Sequence, residues 1–226
     1  MININQHSTL VIIPAYNAGK YLDELINRVA KFVSNENLLF INDGSTDNTL
    51  ELLKAHKVKY INFEQNRGKG AGLMAGFEYA INNNYRSVLT LDADLQHLPE
   101  EIPKFIALEN GKRFILGVRN IDLKTMPISR FCSNNMTSII ISIFSTKRMR
   151  DTQTGYRLIP VSFLKTINLK TTGYDLESEM LFKAGKTDIE IAEVFITTVY
   201  EDSHSYINPL LDTARFIKQM WKRIWM

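Results

Sequence analysis

Several things are scarce in this chain of 226 residues, and each scarcity removes a class of structure or function. It has one cysteine, Cys132, so no internal disulfide framework can form; a reducing compartment suits it. No apolar run approaches the roughly 20 residues that a bilayer-spanning helix needs. Met1 to Gln6 is polar, and Thr9 to Ile13 is too short for the apolar centre of a cleavable leader. Neither a leader nor a membrane span is expected. Charge of one sign is also scarce: 27 Lys and Arg against 24 Asp and Glu leave a formal net charge of +3, too little to argue for a nucleic-acid partner. With no internal repeat, low-complexity tract or linker, one domain over 1–226 is the expectation. What is present is ordinary, 45% hydrophobic and 23% charged, enough for an α/β domain with a real core.

The first half alternates strand-like runs with helical spacing. Thr9 to Ile13 is continuously apolar, as in a parallel strand buried on both faces, and Pro14 is expected to end it. Leu22, Leu25, Ile26, Val29 and Phe32 follow helical spacing. Further strands are expected at 38–41, 58–63, 87–91 and 114–118. Helices are expected from a cap at Ser45 or Thr46, up to Asn82, and from Pro99. Such alternation predicts a mostly parallel sheet with helices on both faces, with ligands beyond the carboxyl ends of its strands. The loops at Pro14, Asp43, Asn66 and Asp92 fall on that edge. Beyond about Asn120 the alternation breaks down; helices at 128–146 and 174–184 and a strand near 189–198 complete the expectation.

Asp92, Asp94 and Gln96 alternate along what reads as an extended strand end, which would put three hard oxygen donors on one side. Such a set suits Mg2+ or Mn2+ and could place charge against a departing diphosphate. The other reading is that the two carboxylates cap the following turn. His97 is read as a loop residue, since a hard metal does not need its nitrogen. Asp43 offers a carboxylate to a ribose or base, or else serves the start of the next helix with Ser45 and Asp47. Asn66 to Gly72 is a glycine-rich helix start of the kind that meets phosphates, with Lys69 as a phosphate ligand or a solvated lysine. Arg119, Arg130 and Arg157 are guanidinium forks for phosphate oxygens, or surface ion pairs. Phe216, Ile217, Met220, Trp221, Ile224 and Trp225 oppose Arg215, Lys218, Lys222 and Arg223 on a terminal helix. That amphipathic basic pattern suits a membrane surface, or docking on the domain's own core.

These residues together resemble a known family. Val11-Ile-Ile-Pro-Ala-Tyr-Asn17, Asn42-Asp-Gly-Ser-Thr-Asp-Asn-Thr49, Asn66-Arg-Gly-Lys-Gly70 and Asp92-Ala-Asp-Leu-Gln-His97 occur in that order in family 2 glycosyltransferases. Gly117-Val-Arg119, Arg130 and Asp151-Thr-Gln-Thr-Gly-Tyr-Arg157 narrow the resemblance to the dolichyl-phosphate mannosyltransferase-like, or polyprenyl-phosphate glycosyltransferase, branch.

The resemblance implies a GT-A (Rossmann-like) fold and an inverting transfer of a hexose from a GDP- or UDP-sugar to a polyprenyl phosphate. The enzyme would act peripherally at the cytoplasmic face of the cell membrane. Residues 1–120 would form the nucleotide-sugar half, 121–208 the acceptor half, and 209–226 the amphipathic tail. Pro14, Tyr16, Asn17, Asp43, Lys69 and Ala93 would line the donor site with Asp92, Asp94 and Gln96, the last three holding Mg2+ or Mn2+. Arg119 and Arg130 would grip the acceptor phosphate, with Arg157 near it or the diphosphate, and Asp94, Arg119 and Arg130 would carry catalysis. Departures stand at Ala18 and Asn42, where the family has acidic residues. Another lies at 200–205, where His204 or Ser205 replaces a basic residue. Two rival readings remain: a cell-surface saccharide as acceptor, or an inactive nucleotide-binding scaffold on the membrane.

Overall fold

Buried apolar runs make the strands, and glycine or polar residues turn the chain between them. The structure is a computed structural model and describes residues 9–119, 147–170, 173 and 175–199. The strands are β1 (Thr9–Ala15), β2 (Leu38–Asp43), β3 (Lys59–Phe63), β4 (Ser87–Thr90), β5 (Arg113–Arg119), β6 (Arg157–Pro160) and β7 (Glu190–Ile196). The helices are α1 (Gly19–Val29), α2 (Thr49–Ala55), α3 (Lys69–Asn82), α4 (Ile102–Leu108), α5 (Val161–Thr166) and α6 (Asp175–Gly185). The strands form one sheet in the order β3-β2-β1-β4-β6-β5-β7.

Pairing is parallel except at β6, which runs against both β4 and β5. Two reversals leave β4 and β5 pointing the same way, so the carboxyl ends of β1 to β5 share one edge. The amino end of β6 comes to that edge too, which brings the 151–156 segment beside the loop after β4.

Period-two alternation divides the core between the sheet faces. Val11, Ile13, Leu38, Phe40, Leu89 and Ile115 point to the face covered by Leu22, Leu25 and Val29 of α1, Leu53 of α2 and Phe105 of α4. Leu10, Ile12, Leu39, Ile41, Val88, Phe114 and Leu116 point to the other, under Leu73 and Phe77 of α3, Phe163 of α5 and Met180 of α6. The mostly parallel sheet with helices on both faces is as expected.

Pro14 does not end β1, contrary to the sequence expectation. Pairing with β4 stops at Ile12, whereas pairing with β2 continues through Pro14 to Ala15. A proline with a neighbour on one side only need not donate to a ladder. The short β6 and α5 were not expected. The helix at 128–146, Arg130, residues 200–205 and the tail at 209–226 lie outside the described residues.

Candidate active site

Short polar side chains tie together the loops after β1, β2 and β3. Asn17, in the left-handed region at φ 50°, donates its N–H to Ser45 Oγ at 3.0 Å and accepts from the Thr46 N–H through Oδ1 at 2.8 Å. The N–H of Ala18 donates to Thr49 Oγ1 at 2.8 Å, and that of Gly19 to Asp47 Oδ2 at 2.9 Å. Ser45 and Thr46 are therefore not the helix caps expected of them. Helix α2 starts later, at Thr49, where Asp47 Oδ1 accepts from the Thr49 N–H at 3.0 Å.

Asp43 is buried at the end of β2, and its two carboxylate oxygens accept from the N–H groups of Arg67 (2.7 Å) and Gly68 (2.9 Å). It thus holds the 66–68 turn in place. Gly44 follows at φ +67°, and a Cβ there would collide with the backbone of Gln65 and Asn66, so the close approach requires glycine. Asn42 is buried and donates to Asn62 Oδ1 at 2.6 Å, which accounts locally for an amide where the family has an acid. Tyr16 stands 51% exposed beside these loops.

After β4 the chain does not stay extended. Asp94 Oδ1 accepts from the Gln96 N–H at 3.0 Å and Leu95 takes φ 58°, so the segment is a turn. The expected period-two alignment of Asp92, Asp94 and Gln96 is therefore corrected: a left-handed residue between them breaks the alternation. Ala93, expected beside a nucleotide, is 8% exposed and packs into the core. The turn reading of Asp94 is met by one oxygen, Oδ1.

Asp92 is boxed in. Lys69 Nζ, from the first residue of α3, lies 2.6 Å from its Oδ1, and His97 Nδ1 lies 3.7 Å from its Oδ2. Burial alone would raise the Asp92 pKa, but the charges of Lys69, His97 and Arg157 bring it below the ordinary carboxylate value. Asp94 goes the other way: burial first, then the negative charge of Asp92, pushes its carboxyl up. Burial works against charge on Lys69 also, yet Asp92 and Glu177 raise its pKa. His97 is buried, which lowers its pKa against the pull of both aspartates. Among the described residues its Nδ1 has no hydrogen-bond partner, while Nε2 lies 3.5 Å from Thr154 Oγ1.

Behind Asp92 a group of ions fills the space between β5, β6 and α6. Lys69 Nζ is also 3.3 Å from Glu177 Oε2. Arg157 is 1% exposed; its Nη1 donates to the Glu177 carbonyl at 3.0 Å and its Nη2 to the Thr152 carbonyl at 2.9 Å. Burial lowers the pKa of that guanidinium against the opposing charges of Glu177, Asp151 and Asp92. Arg157 is thus an internal cation, not the phosphate contact expected, because no part of its fork reaches the surface. Arg119 closes β5 in a two-pronged pair with Asp151: Nε to Oδ2 at 2.7 Å and Nη2 to Oδ1 at 2.9 Å. Burial would raise the Asp151 pKa, but the Arg119 hydrogen bonds hold it down.

The fold therefore brings Pro14, Tyr16, Asn17, Asp43, Lys69, Asp92, Asp94, Gln96 and Arg119 to one edge and withdraws Ala93 and Arg157 into the interior. Sequence reasoning missed Glu177 and the burial of His97. An acidic first turn, Asp175 and Glu177, marked the helix but not its partner. As for a metal, no group of three His, Cys, Asp or Glu side chains converges among the described residues. Asp92 and Asp94 are nonetheless two part-exposed hard oxygen donors. That donor set fits an ion whose other positions are taken by water and phosphate, as Mg2+ prefers.

A family model described as glycosyl transferase family 2 matches residues 10–164. The UDP-N-acetylglucosamine–dolichyl-phosphate N-acetylglucosaminyltransferase of Methanococcus voltae is 30% identical over 216 residues, covering 85% of this chain and 86% of its own. The polyprenol monophosphomannose synthase of Mycolicibacterium smegmatis is 28% identical over 207 residues, 84% of this chain and 76% of its own. The fold is similar to a crystal structure of glucosyl-3-phosphoglycerate synthase from Mycobacterium tuberculosis in complex with Mn2+, UDP and glucosyl-3-phosphoglycerate. Its TM-score is 0.74, over 96% of this chain and 80% of that one, and at 18% identity this is a likeness of fold.

Proposed function

The chain belongs to glycosyl transferase family 2 and has the GT-A fold; from that premise we propose that it moves a hexose, with inversion, from a GDP- or UDP-sugar to a polyprenyl phosphate. The observation that carries this reading is the Asp92–Asp94 pair at the end of β4, with the Arg119 fork ending β5 on the same edge. One place suits a metal-bound diphosphate, the other a second phosphate. Two relatives are named for transfer to dolichyl phosphate or polyprenol, which supports the lipid acceptor. No helix among the described residues is long and apolar enough to cross a membrane. The amphipathic basic sequence pattern of 209–226 supports a meeting with the lipid at the inner membrane face.

Tyr16 would cover the nucleoside, with Pro14, Asn17 and Asp43 shaping the loops beneath it. Asp92 and Asp94, with Gln96 beside them, would hold Mg2+ or Mn2+. A divalent ion held there would supply positive charge against the departing diphosphate. Lys69 adds a second cation at the start of α3, where helix N–H groups also favour phosphate. The acceptor phosphate oxygen is already anionic, so no base has to remove a proton before it attacks the anomeric carbon. The bond from sugar to diphosphate breaks as the bond to the acceptor oxygen forms on the opposite face. Asp151 fixes the plane of the Arg119 fork, which with Arg130 would orient the attacking phosphate.

The test is release of UDP or GDP from sugar-nucleotide donors, with undecaprenyl phosphate or soluble saccharides as acceptor. Release should need the lipid phosphate, vanish with EDTA, return with Mn2+, and fall by about 100-fold or more in Asp94→Ala, the scale for losing one charge-stabilising group. Turnover only on soluble saccharides would overturn the acceptor. Full activity after metal removal would overturn the metal.

A further inference from the structure

Gly155 lies under the Asp92 carboxylate. A Cβ built on Gly155 would fall 2.5 Å from Asp92 Oδ2 and 3.0 Å from both Cγ and Oδ1, and these are its three nearest contacts. The glycine backbone cannot back away easily. Its carbonyl accepts from Thr90 Oγ1 of β4 at 2.6 Å, and the next carbonyl, that of Tyr156, accepts from the Gly117 N–H of β5 at 2.9 Å. The backbone of Gly155 does not adopt positive φ, so alanine is not excluded by conformation. The group an added methyl would meet first is the Asp92 carboxylate.

The remaining sides of Asp92 are defined as well. Lys69 stands at Oδ1 and buried His97 at Oδ2, with Thr154 beside the far nitrogen of His97. Thr154 and Gly155 are adjacent in the segment that leads into antiparallel β6, so one stretch of chain supplies both the floor and part of the wall.

We infer that Gly155 is a positioning residue: its missing side chain sets where the Asp92 carboxylate can sit, and hence the geometry of the site at which a divalent cation is held. The inference rests on the metal reading of Asp92 and is separable from it. Gly155 touches no reacting atom and acts only through Asp92.

The experiment is a double-mutant cycle of Gly155→Ala and Asp92→Ala. Mn2+ affinity is read from the electron paramagnetic resonance of the free ion with UDP or GDP present, and Tm is read in parallel. Gly155→Ala should weaken Mn2+ binding at least about ten-fold, the scale seen when groups supporting a metal ligand are changed. In the Asp92→Ala background the same substitution should cost nothing further, because the carboxylate it displaces is gone. Gly173→Ala, where a Cβ meets nothing within 4 Å, should match wild type in both readouts. Wild-type Mn2+ affinity in Gly155→Ala, with loss in Asp92→Ala, would overturn the inference and leave the metal reading standing. Wild-type affinity in Asp92→Ala would overturn both. If Gly155→Ala fails to fold, recovery of folding in the double variant supports the inference, and continued failure overturns it.

Discussion

The loops after β1, β2 and β3 and the ions behind Asp92 share one sheet edge, yet they are held in opposite ways. In the loops nearly every link is a backbone N–H on a small side-chain acceptor: Ser45, Thr49, Asp47, Asn17 and Asp43. Behind Asp92 the links join charged side chains to one another or to carbonyls: Lys69, Glu177, Arg157, Asp151 and Arg119. A lost loop acceptor exposes one neutral N–H that water can often reach. A lost ion leaves its partners charged in a place where water does not compensate them. The first region should therefore tolerate substitution far better than the second.

The sharpest way to break that contrast is Arg157→Met, which keeps bulk but removes the buried charge. Glu177 and the Thr152 carbonyl would lose their cation, and a cost of about 3–5 kcal/mol is expected, the usual scale for orphaning a buried ion. Urea unfolding measures it. A cost below about 1 kcal/mol would mean that water reaches these ions, and the two regions would then not differ.

Asp43→Asn tests the strongest link on the loop side. Two oxygens now accept from two N–H groups; an asparagine offers one acceptor and turns its amide NH2 toward the other donor. A loss of about 1–3 kcal/mol follows, less than at Arg157, because one hydrogen bond survives and no ion is stranded.

The same contrast explains what could be read in advance. Strands β1, β2 and β5 are runs of buried apolar residues, a local signal, and the polar loops after β1 to β4 follow from them. The four-residue β6 opens on Arg157 and closes on Pro160, so it carries no such signal; its pairing with Leu89 and Ile115 makes it a strand. Arg157 reads as a phosphate fork or a surface ion pair for the same reason, since its partners, the carbonyls of Thr152 and Glu177, are brought to it only by the folded chain. The Asp92 and Asp94 pair was legible as chemistry, but not as a turn, because nothing in Leu95 announces a positive φ. Gly155 was visible in the motif, and its reason was not, since Asp92 lies 63 residues earlier.

Ser45→Ala is the mildest of these changes. Ser45 Oγ accepts from the Asn17 N–H in an exposed position, so solvent can take over the donor once the hydroxyl is gone. Asn17 keeps a second link to the same loop through its Oδ1 and the Thr46 N–H. The expected loss is about 0.5–1 kcal/mol, seen as a lower urea midpoint with an unchanged slope, because the buried surface does not change. A loss as large as that of Arg157→Met would mean that the loops unlock together when one link is cut. They would then behave as a cooperative unit like the ions behind Asp92, and the division between the two regions would fail from the loop side.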